Sequence, residues 1–533
     1  MDSCSRYGMH GVCTVLVVLA SSLLAFCVFA RAEVTADNAS SKINTDVTVA
    51  GAATAAPAAD AAANASDSVG NLVLKFLSRD GGVLTEQNER PRMSLSEAEA
   101  EISKWVCGMN SELYFVIANP RSGSQLGAEF IKSLPMTRVR HDCVDFMVFS
   151  QRDEASNAMG IGRIAMAVSA LKVLYEHQHG NDAKGNSSGR LTIPIEERVR
   201  VIAVGGDGAF AGMLQAITNA GVDMNFVAVG IIPSGTGNDL AHTYGWVKPS
   251  FPTKDPLEPE NFKKLISILR SSDLVPHDSW MVVVRTDPNS GGFEAWSPKE
   301  GKVRTLGTDR NGGPKVKAFI INNYFGIGFD GLVGISVEKH RGKSRLWNRA
   351  MYGFFFMRYL PTSLAVCDFV DTLYTLKPQV VAIVSNNESL RRVPGLLPCV
   401  SLTFQNSRTI MGGVELWTPS FKLGVKPPSD PRVFSQYSLF TKQLVATRAD
   451  SGDGKIELFS MESKVDYAKA ATLPVNAIQR VMQGRGPYLL TFKESVPSMP
   501  IQVDGEFYIV SKLTSVSVQS SGTCAMLRYR DRK

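Results

Sequence analysis

Three glycine-containing loops carry the residue types that could do chemistry. They are NPRSG (119–123), GGDG (205–208) and PSGTGND (233–239), and each ends a short apolar run of the sequence. Glycine lets a backbone come close to a ligand, and the amides of such loops bind phosphate. Asp207 would repel a phosphate unless a divalent cation lay between them. The loops therefore predict a site for a phosphate chain and a cation.

The sequence around these loops alternates between strand and helix patterns. LYFVIANP (113–120), VRVIAVGG (199–206) and FVAVGIIP (226–233) read as strands, and apolar residues at helical spacing lie between them. This alternation predicts a parallel sheet, which binds ligands at the carboxyl ends of its strands. No Walker loop and no G-x-G-x-x-G motif is present, which disfavours the P-loop and dinucleotide-binding classes. After about residue 275, short alternating strands with glycine and proline turns predict a second, β-rich domain.

Six motifs, in order, resemble those of the diacylglycerol kinases, within the lipid kinases that include sphingosine and ceramide kinases. They are PSGTGNDLA with YGW (233–246), NNYFGIGFDG (322–331), EKHR with NRAMYG (338–353), MGGVELW (411–417), SGDGKIEL (451–458) and MPIQVDGE (499–506). NAD kinases share GGDG but lack the NNYF segment. Sphingosine and ceramide kinases usually lack the aspartate that is Asp239 here. The match, over residues 112 to 530, is therefore most similar to a glycerolipid kinase.

The resemblance implies two domains and one reaction. Residues 112–275 are expected to form an α/β nucleotide-binding domain, Rossmann-like and related to the NAD kinase and phosphofructokinase folds. Residues 276–533 are expected to form a β-rich, sandwich-like accessory domain for lipid, with its last strands returning to the first domain. The implied reaction is ATP- and Mg²⁺-dependent phosphorylation of the primary hydroxyl of diacylglycerol to phosphatidic acid. Since Ala209 stands where the family usually has threonine, a weak or dead pseudokinase is one alternative. A kinase for ceramide, sphingosine or monoacylglycerol is another.

The resemblance also implies roles for individual residues. Asp207 is expected to meet the phosphates through Mg²⁺, or else to cap the helix that follows it. Nucleotide contacts are expected from Asn119, Pro120, Arg121, Ser122, Gly123, Gly205, Gly206, Gly208, Gly235, Thr236, Gly237, Asn238 and Asp239. Asp504 or Glu506 is expected to take the proton of the lipid hydroxyl, both on one face if the segment is extended; the alternative is an acidic hairpin turn. Asp450 and Asp453 are expected to hold a structural Mg²⁺, by analogy with bacterial members.

Charge and composition bear on the partners. The net charge of +7 is too small to predict nucleic-acid binding, but it is compatible with an anionic membrane surface. A basic cluster precedes the aromatic segment MYGFFFMRY (351–359) and consists of Lys339, His340, Arg341, Lys343, Arg345 and Arg349, with Trp347 among them. It predicts membrane docking or, equally, a solvated loop before a core helix. No Cys/His-rich finger or calcium loop is present, so zinc is not expected.

The N-terminal sequence has the pattern of a secretory leader. Gly11 to Ala30 is uncharged and ends at Ala30-Arg31-Ala32, which predicts a signal peptide over residues 1–32 or, alternatively, an anchor over 11–30. An Ala-rich spacer (33–70) and a helical or irregular lead-in (71–111) are expected to follow. Glycosylation sequons at Asn38, Asn64, Asn186 and Asn387 and five scattered cysteines allow a lumenal protein with one or two disulfides. We therefore expect a secreted or lumenal protein.

Overall fold

The computed structural model describes most of the chain after residue 92. The described residues are 93–123, 125–132, 137–179, 199–297, 300–306, 315–342, 345–361, 366, 369–375, 399–418, 448–472 and 476–531. The chain divides into two compact units, residues 1–69 and 70–533, and all described residues belong to the second. The predicted leader, the spacer, most of the lead-in and the four sequons lie outside the described residues.

Strands and helices alternate in the first part of the unit, as the sequence predicts. The strands are β1 (Glu112–Ala118), β2 (Thr137–His141), β3 (Val144–Ser150), β4 (Val199–Gly205) and β5 (Val227–Pro233). The helices are α1 (Leu95–Ile102), α2 (Leu126–Phe130), α3 (Glu154–His179), α4 (Asp207–Asn219), α5 (Asp239–Thr243) and α6 (Pro259–Arg270). Single 3-10 turns lie at Gly108–Asn110 and Met224–Phe226.

Four of these strands form a parallel array in the order β5-β4-β1-β3, with β2 antiparallel at the edge. Nearly every residue of β1, β3, β4 and β5 is buried, as expected for parallel strands that are continuous apolar runs. Helix α3 is long and apolar enough to cross a membrane, but it packs against β1, β3 and β4 and is therefore a core helix here. The array brings the carboxyl ends of β1, β4 and β5 to one edge.

The second part of the unit is built mainly of antiparallel strands. They are β6 (Ser272–Thr286), β7 (Gly292–Ser297), β8 (Lys302–Thr305), β9 (Val316–Ile321), β10 (Tyr324–Gly328), β11 (Val370–Thr375), β12 (Ser401–Gln405), β13 (Ile456–Met461), β14 (Gln479–Gly484), β15 (Tyr488–Phe492), β16 (Met499–Val503), β17 (Glu506–Ser511) and β18 (Leu513–Tyr529). Helices α7 (Phe329–Lys339), α8 (Arg345–Tyr359) and α9 (Lys464–Thr472) lie among them.

Two sheets face each other in this part. The described strands β14-β13-β12-β10-β16-β17-β7-β8 form one sheet, and β6, β9, β11, β15 and β18 extend the sheet of the first part. Alternating residues of both sheets, such as Trp280 on β6 and Phe404 on β12, share one apolar core. On its other face the eight-stranded sheet packs against α7, α8 and α9 through a separate cluster around Phe329 and Trp417. The expected α/β domain with a sandwich-like β-rich domain is confirmed.

The last strand joins the two parts. β18 pairs antiparallel with β6 from Leu513 to Tyr529 and, near its end, parallel with β5 through Ala525 and Met526. The YGW motif fixes this end, because the Trp246 indole N–H donates to the Leu527 carbonyl oxygen (2.6 Å). The Tyr529 backbone N–H donates to the Tyr244 carbonyl oxygen (3.0 Å). The domain boundary expected near residue 275 lies inside the continuous strand β6.

A disulfide ties the lead-in to the sheet. Cys107 is bonded to Cys143 in the turn between β2 and β3, with Cα atoms 5.2 Å apart. Cys399 is also disulfide-bonded, whereas Cys524 is buried and belongs to no disulfide. Asp145 accepts two hydrogen bonds from the Arg138 guanidinium, at 2.7 and 2.8 Å, beside this crosslink.

We predict that a chain ending at Ser511 does not fold, because it lacks β18. The strand buries large apolar side chains, among them Leu513, Met526 and Leu527. At about 1.5–3 kcal/mol for each large apolar side chain, their loss is comparable to the whole stability of a domain. Thermal unfolding followed by circular dichroism should show no cooperative transition. A control chain ending at Arg530 should melt like the full chain, and a cooperative transition in the shorter chain would contradict the assigned role of β18.

Candidate active site

The three glycine-containing loops lie side by side at the carboxyl ends of β1, β4 and β5. The Asn119 backbone N–H donates to the Val204 carbonyl oxygen (2.9 Å), and the Ser234 N–H donates to the Gly205 carbonyl oxygen (2.8 Å). Gly205 has room for no side chain, since a Cβ there would lie 2.3 Å from the Cβ of Ala209. The loops therefore form one continuous backbone surface.

The contact between the second and third loops depends on two glycines. A Cβ on Gly235 would lie 2.5 Å from the Cα of Gly206, so the two backbones touch. Asn238 closes the third loop: its Oδ1 accepts from the Gly235 N–H and its Nδ2 donates to the Gly235 carbonyl, both at 2.9 Å. This requires a left-handed backbone at Asn238 (φ 58°). Thr236 and Gly237, at the loop tip, are partly exposed.

The first loop is a compact turn. Asn119 Oδ1 accepts from the Arg121 N–H (3.0 Å), and the Ser122 N–H donates to the Asn119 carbonyl oxygen (3.3 Å). Ser122 is buried, Pro120 is half-buried, and Arg121 and Gly123 are exposed at the rim. The structure thus brings the predicted loop residues together, with Asn119 and Asn238 shaping their own loops.

Asp207 is the first residue of α4 but does not cap it. The N-cap of α4 is Gly206, so the expectation that Asp207 caps its own helix is wrong. Its carboxylate instead accepts from the first amides of α5, those of Asp239 (3.0 Å) and Leu240 (2.9 Å). Burial raises the pKa of Asp207, and these amides oppose the rise. Next to it, Gly208 is exposed.

Asp239 is only 2% exposed and binds loops of the second domain. Its Oδ1 accepts from the backbone N–H groups of Gly412 and Gly413, both at 2.9 Å, and its Oδ2 accepts from the Tyr324 hydroxyl (3.2 Å). Burial and, secondarily, the charge of Asp207 raise the pKa of Asp239 to about 7. Tyr324, Gly412 and Gly413 belong to the NNYF and MGG motifs, but sequence spacing does not identify them as partners of Asp239.

Asp504 lies in the two-residue turn between β16 and β17. Asp504 (φ 46°) and Gly505 (φ 85°) both have left-handed backbones, as a tight Asp-Gly hairpin requires. Asp504 Oδ2 accepts from the Asn322 N–H (2.7 Å), and Oδ1 accepts from the amides of Asn323 and Tyr324 (2.9 Å each). Burial is the main cause that raises its pKa to about 7, and the charge of Asp207 adds to it. Asp504 therefore lies within electrostatic reach of Asp207.

Glu506 has different surroundings. It is exposed at the start of β17, and its Oε2 accepts from the Tyr508 hydroxyl (2.8 Å). The segment is not extended through Asp504, so the expectation of two carboxylates on one strand face is wrong, and the alternative of a hairpin turn is what the structure shows.

The loop with Asp450 and Asp453 offers little to a cation. Both oxygens of Asp453 accept from Lys455, one from its backbone N–H (3.0 Å) and one from Nζ (2.8 Å). The exposed Asp450 accepts from the Gly452 N–H (3.0 Å). These residues do not fit the structural Mg²⁺ expected there.

The acidic cluster of Asp207, Asp239 and Asp504 fits a divalent cation better. Asn323 lies beside Asp207 and hydrogen-bonds to it, while its buried Oδ1 has no partner. Carboxylate and amide oxygens are the ligands that Mg²⁺ prefers. Among the described residues, no three Asp, Glu, His or Cys side chains converge closely enough to hold a metal alone. A Mg²⁺ here would therefore share its coordination with phosphate oxygens and water, as this ion usually does.

Two family models match the chain. "Diacylglycerol kinase catalytic domain" matches residues 113–258, and "Diacylglycerol kinase accessory domain" matches residues 320–507. Together these ranges are more than half of the chain. They place the glycine loops in the catalytic match and Tyr324, Gly412 and Asp504 in the accessory match.

Curated relatives are similar over about half of the chain. "Probable diacylglycerol kinase 3" of Caenorhabditis elegans is 26% identical over 57% of this chain and 34% of its own length. "Eye-specific diacylglycerol kinase" of Drosophila melanogaster is 28% identical over 47% of this chain and 16% of its own. "Diacylglycerol kinase iota" of Homo sapiens is 26% identical over 58% and 24%. The matched region is thus a sixth to a third of these longer proteins.

A solved structure described as a diacylglycerol kinase from Bacillus anthracis is also similar. It is 13% identical, with a TM-score of 0.36, and the match covers 79% of this chain and 98% of that one.

We predict that Asp239→Asn stabilises the metal-free protein at pH 8 but not at pH 4. Asparagine can still accept from Gly412 and Gly413 and can donate to the Tyr324 hydroxyl. The folded pKa of Asp239, about 7, lies above its unfolded value of about 3.9, so the stability linked to this group is present below pH 4 and is lost as pH rises through 7. The uncharged amide avoids this loss.

Thermal unfolding with a chelator at both pH values measures the effect. We expect a gain on the order of 1 kcal/mol or more at pH 8, and little difference at pH 4. Asp255→Asn, at an exposed position, removes the same charge and serves as the control. An equal difference in stability between Asp239→Asn and the unaltered chain at pH 8 and pH 4 would refute the conclusion that Asp239 carries a buried charge.

Proposed function

Because this chain belongs to the diacylglycerol kinase family, we propose that it transfers the γ-phosphoryl group of ATP to the primary hydroxyl of diacylglycerol, which gives phosphatidic acid and ADP. Membership of the family supports a lipid kinase that uses ATP. The observation that carries the proposal is the convergence of Asp207, Asp239 and Asp504 beside three phosphate-binding loops.

The loops serve the nucleotide in this proposal. Backbone amides around Gly206 and Gly237 bind phosphate oxygens, because no side chain keeps the phosphates at a distance. In such transfers, catalysis consists mainly of positioning and of neutralising charge. The hydroxyl oxygen bonds to the γ-phosphorus while the bond from that phosphorus to the β–γ bridging oxygen breaks. ADP leaves with the electron pair.

Mg²⁺ would be held by Asp207 together with Asn323 Oδ1 and oxygens of the phosphates. When bound, it supplies positive charge that neutralises the phosphates and the surrounding carboxylates. Asp239 is a positioning residue, because its two carboxylate oxygens already accept hydrogen bonds from Gly412, Gly413 and Tyr324. It thereby fixes the start of α5, whose amides hold Asp207.

Asp504 is the better candidate for the general base. A base works best when its pKa lies near the working pH, and burial raises the pKa of Asp504 to about 7. The charge of Asp207 acts on Asp504, whereas Glu506 is exposed and hydrogen-bonded by the Tyr508 hydroxyl. In the proposed reaction, Asp504 accepts the hydroxyl proton as the oxygen attacks.

The substrate of this reaction is a membrane lipid, so the partner surface is a membrane. The basic excess of the chain favours one that carries anionic lipids. We also propose that the protein enters the secretory pathway and acts in the lumen or outside the cell. The leader-like sequence supports this compartment, as do the disulfide between Cys107 and Cys143 and the disulfide-bonded state of Cys399.

Phosphate transfer from labelled ATP to diacylglycerol in mixed micelles tests the proposed reaction. We expect Asp207→Asn and Asp504→Asn to lower kcat by about 100-fold or more, because they remove a cation ligand and the base. Glu506→Gln should cost less than about tenfold. Asp450→Asn is the matched acidic control and should keep activity, since Asp450 is exposed and only caps its own turn.

Other results would change the assignment. Faster transfer to sphingosine or ceramide would refute the diacylglycerol substrate. ATP binding with no transfer to any of these lipids would favour the pseudokinase that Ala209 suggests. A larger loss for Glu506→Gln than for Asp504→Asn would assign the base to Glu506.

The mature N-terminus tests the proposed compartment. We expect it to begin near Glu33, and we expect intact vesicles to protect the kinase from added protease, because a processed leader places it in the lumen. N-terminal sequencing and protease protection measure both. An intact leader with a digested kinase would mean an anchored enzyme that faces the cytosol.

A further inference from the structure

Helix α8 exposes a row of large apolar side chains. Trp347 is 50% exposed and Phe354 is 56% exposed, and their spacing of seven residues puts them on one face of the helix. Met357, 41% exposed, extends this face by one turn. Its opposite face belongs to the core, because Phe355 is buried and Tyr359 bonds through its hydroxyl to Ser336 Oγ (2.7 Å). The helix is therefore amphipathic, with one face packed on the core and the other exposed.

The same helix borders the acidic cluster. Tyr352 is 40% exposed, and its hydroxyl lies close enough to Asp239 for that carboxylate to act on it. From another element, Met411 is also 40% exposed and directly precedes Gly412, whose N–H donates to Asp239. Because an α-helix turns by about 100° per residue, Tyr352 lies on the other side of α8 from Phe354, toward the acidic cluster, as does Met411 from its separate loop. We call the exposed row of Trp347, Phe354 and Met357 the apolar rim.

The positive charge of the sequence around the apolar rim favours an anionic binding partner. Residues 339–360 contain six Lys or Arg residues and no Asp or Glu. Arg358 is exposed and lies on the same helix face as Phe354, four residues away. Aromatic and basic side chains on one helix face are the combination that binds an anionic bilayer surface, where rings enter the headgroup region and cations pair with phosphates.

We propose that the apolar rim is a membrane-docking surface that inserts into an anionic bilayer and brings the acidic cluster, on the other side of α8, to the membrane interface. The identity of that lipid rests on the proposed function, whereas the docking itself does not. Docking at this place shortens the path of the substrate, because its hydroxyl has only to reach the membrane interface. The acyl chains stay in the bilayer.

Vesicle binding tests the surface without reference to activity. Flotation with phosphatidylcholine vesicles, with and without phosphatidylserine, should show stronger binding to the anionic ones. Trp347→Ala with Phe354→Ala should weaken that binding by about tenfold or more, because the two rings that insert into the bilayer are lost. The matched control is Met159→Ala with Met166→Ala, two exposed residues on α3. Unfolding temperatures of both double variants confirm that each is folded.

The unaltered chain offers a second measurement. Trp347 is half exposed, whereas Trp105, Trp246, Trp280 and Trp417 are buried and Trp296 is partly buried. Anionic vesicles should shift the tryptophan emission to the blue, and brominated acyl chains should quench it; Trp347→Phe should abolish most of both effects. Unchanged binding of the double variant, or no emission change, would overturn the proposal. So would binding only to another protein, which would make the rim a protein interface.

Activity separates this proposal from the proposed function. The double variant should lose activity on diacylglycerol in vesicles but keep at least half of it on a soluble short-chain diacylglycerol. Equal loss on both substrates would overturn docking and assign the residues to the site itself. Anionic-vesicle binding through the rim, with no phosphate transfer by the unaltered chain, would refute the proposed function and leave the docking surface standing.

Discussion

Three carboxylates, one buried and two half-buried, each held by backbone amides of a distant loop, are the constraint on which the rest of this structure depends. Asp207 holds the start of α5, Asp239 holds the turn at Gly412 and Gly413, and Asp504 holds the amides that precede β10. The contacts of Asp239 cross from the nucleotide-binding domain to the β-rich domain, whereas those of Asp504 lie within the β-rich domain. The position of one domain on the other is therefore fixed at the place where the acidic cluster forms.

The same arrangement leaves the site short of positive charge. Backbone amides stabilise the carboxylates, but burial still raises the pKa values of Asp239 and Asp504 to about 7. Burying a charge without an opposite charge is costly. A cation that arrives with a phosphate chain would lower this cost. The negative charge of this site would thus be neutralised only in the complex with a cation and a phosphate chain.

Much of the fold, and the meeting of the three glycine-containing loops, could be predicted from the sequence. Continuous apolar runs ending in glycine or proline identify parallel strands, and three such runs are enough to bring their loops to one edge. The partners of Asp239 could not be predicted, because Tyr324 is 85 positions away along the chain and Gly412 is 173 positions away. Strand register decides that proximity, and sequence spacing does not reveal it. The prediction that QVDGE (502–506) is extended was wrong, because Asp-Gly favours a tight hairpin turn. This local signal was present in the sequence. The acidic loop at Asp453 shows the limit of counting carboxylates, since Lys455 two residues later occupies both oxygens.

The place of β18 in the sheet has a consequence for biosynthesis. β5 already pairs with β4, and β15 with β11, but both obtain their second neighbour only from β18, residues 513–529. During translation, the sheet of the nucleotide-binding domain therefore has an unpaired edge at β5 until these residues have been made. Domains often fold one after another as they emerge from the ribosome, but here the first domain has to wait for the second. The two domains therefore complete their fold together.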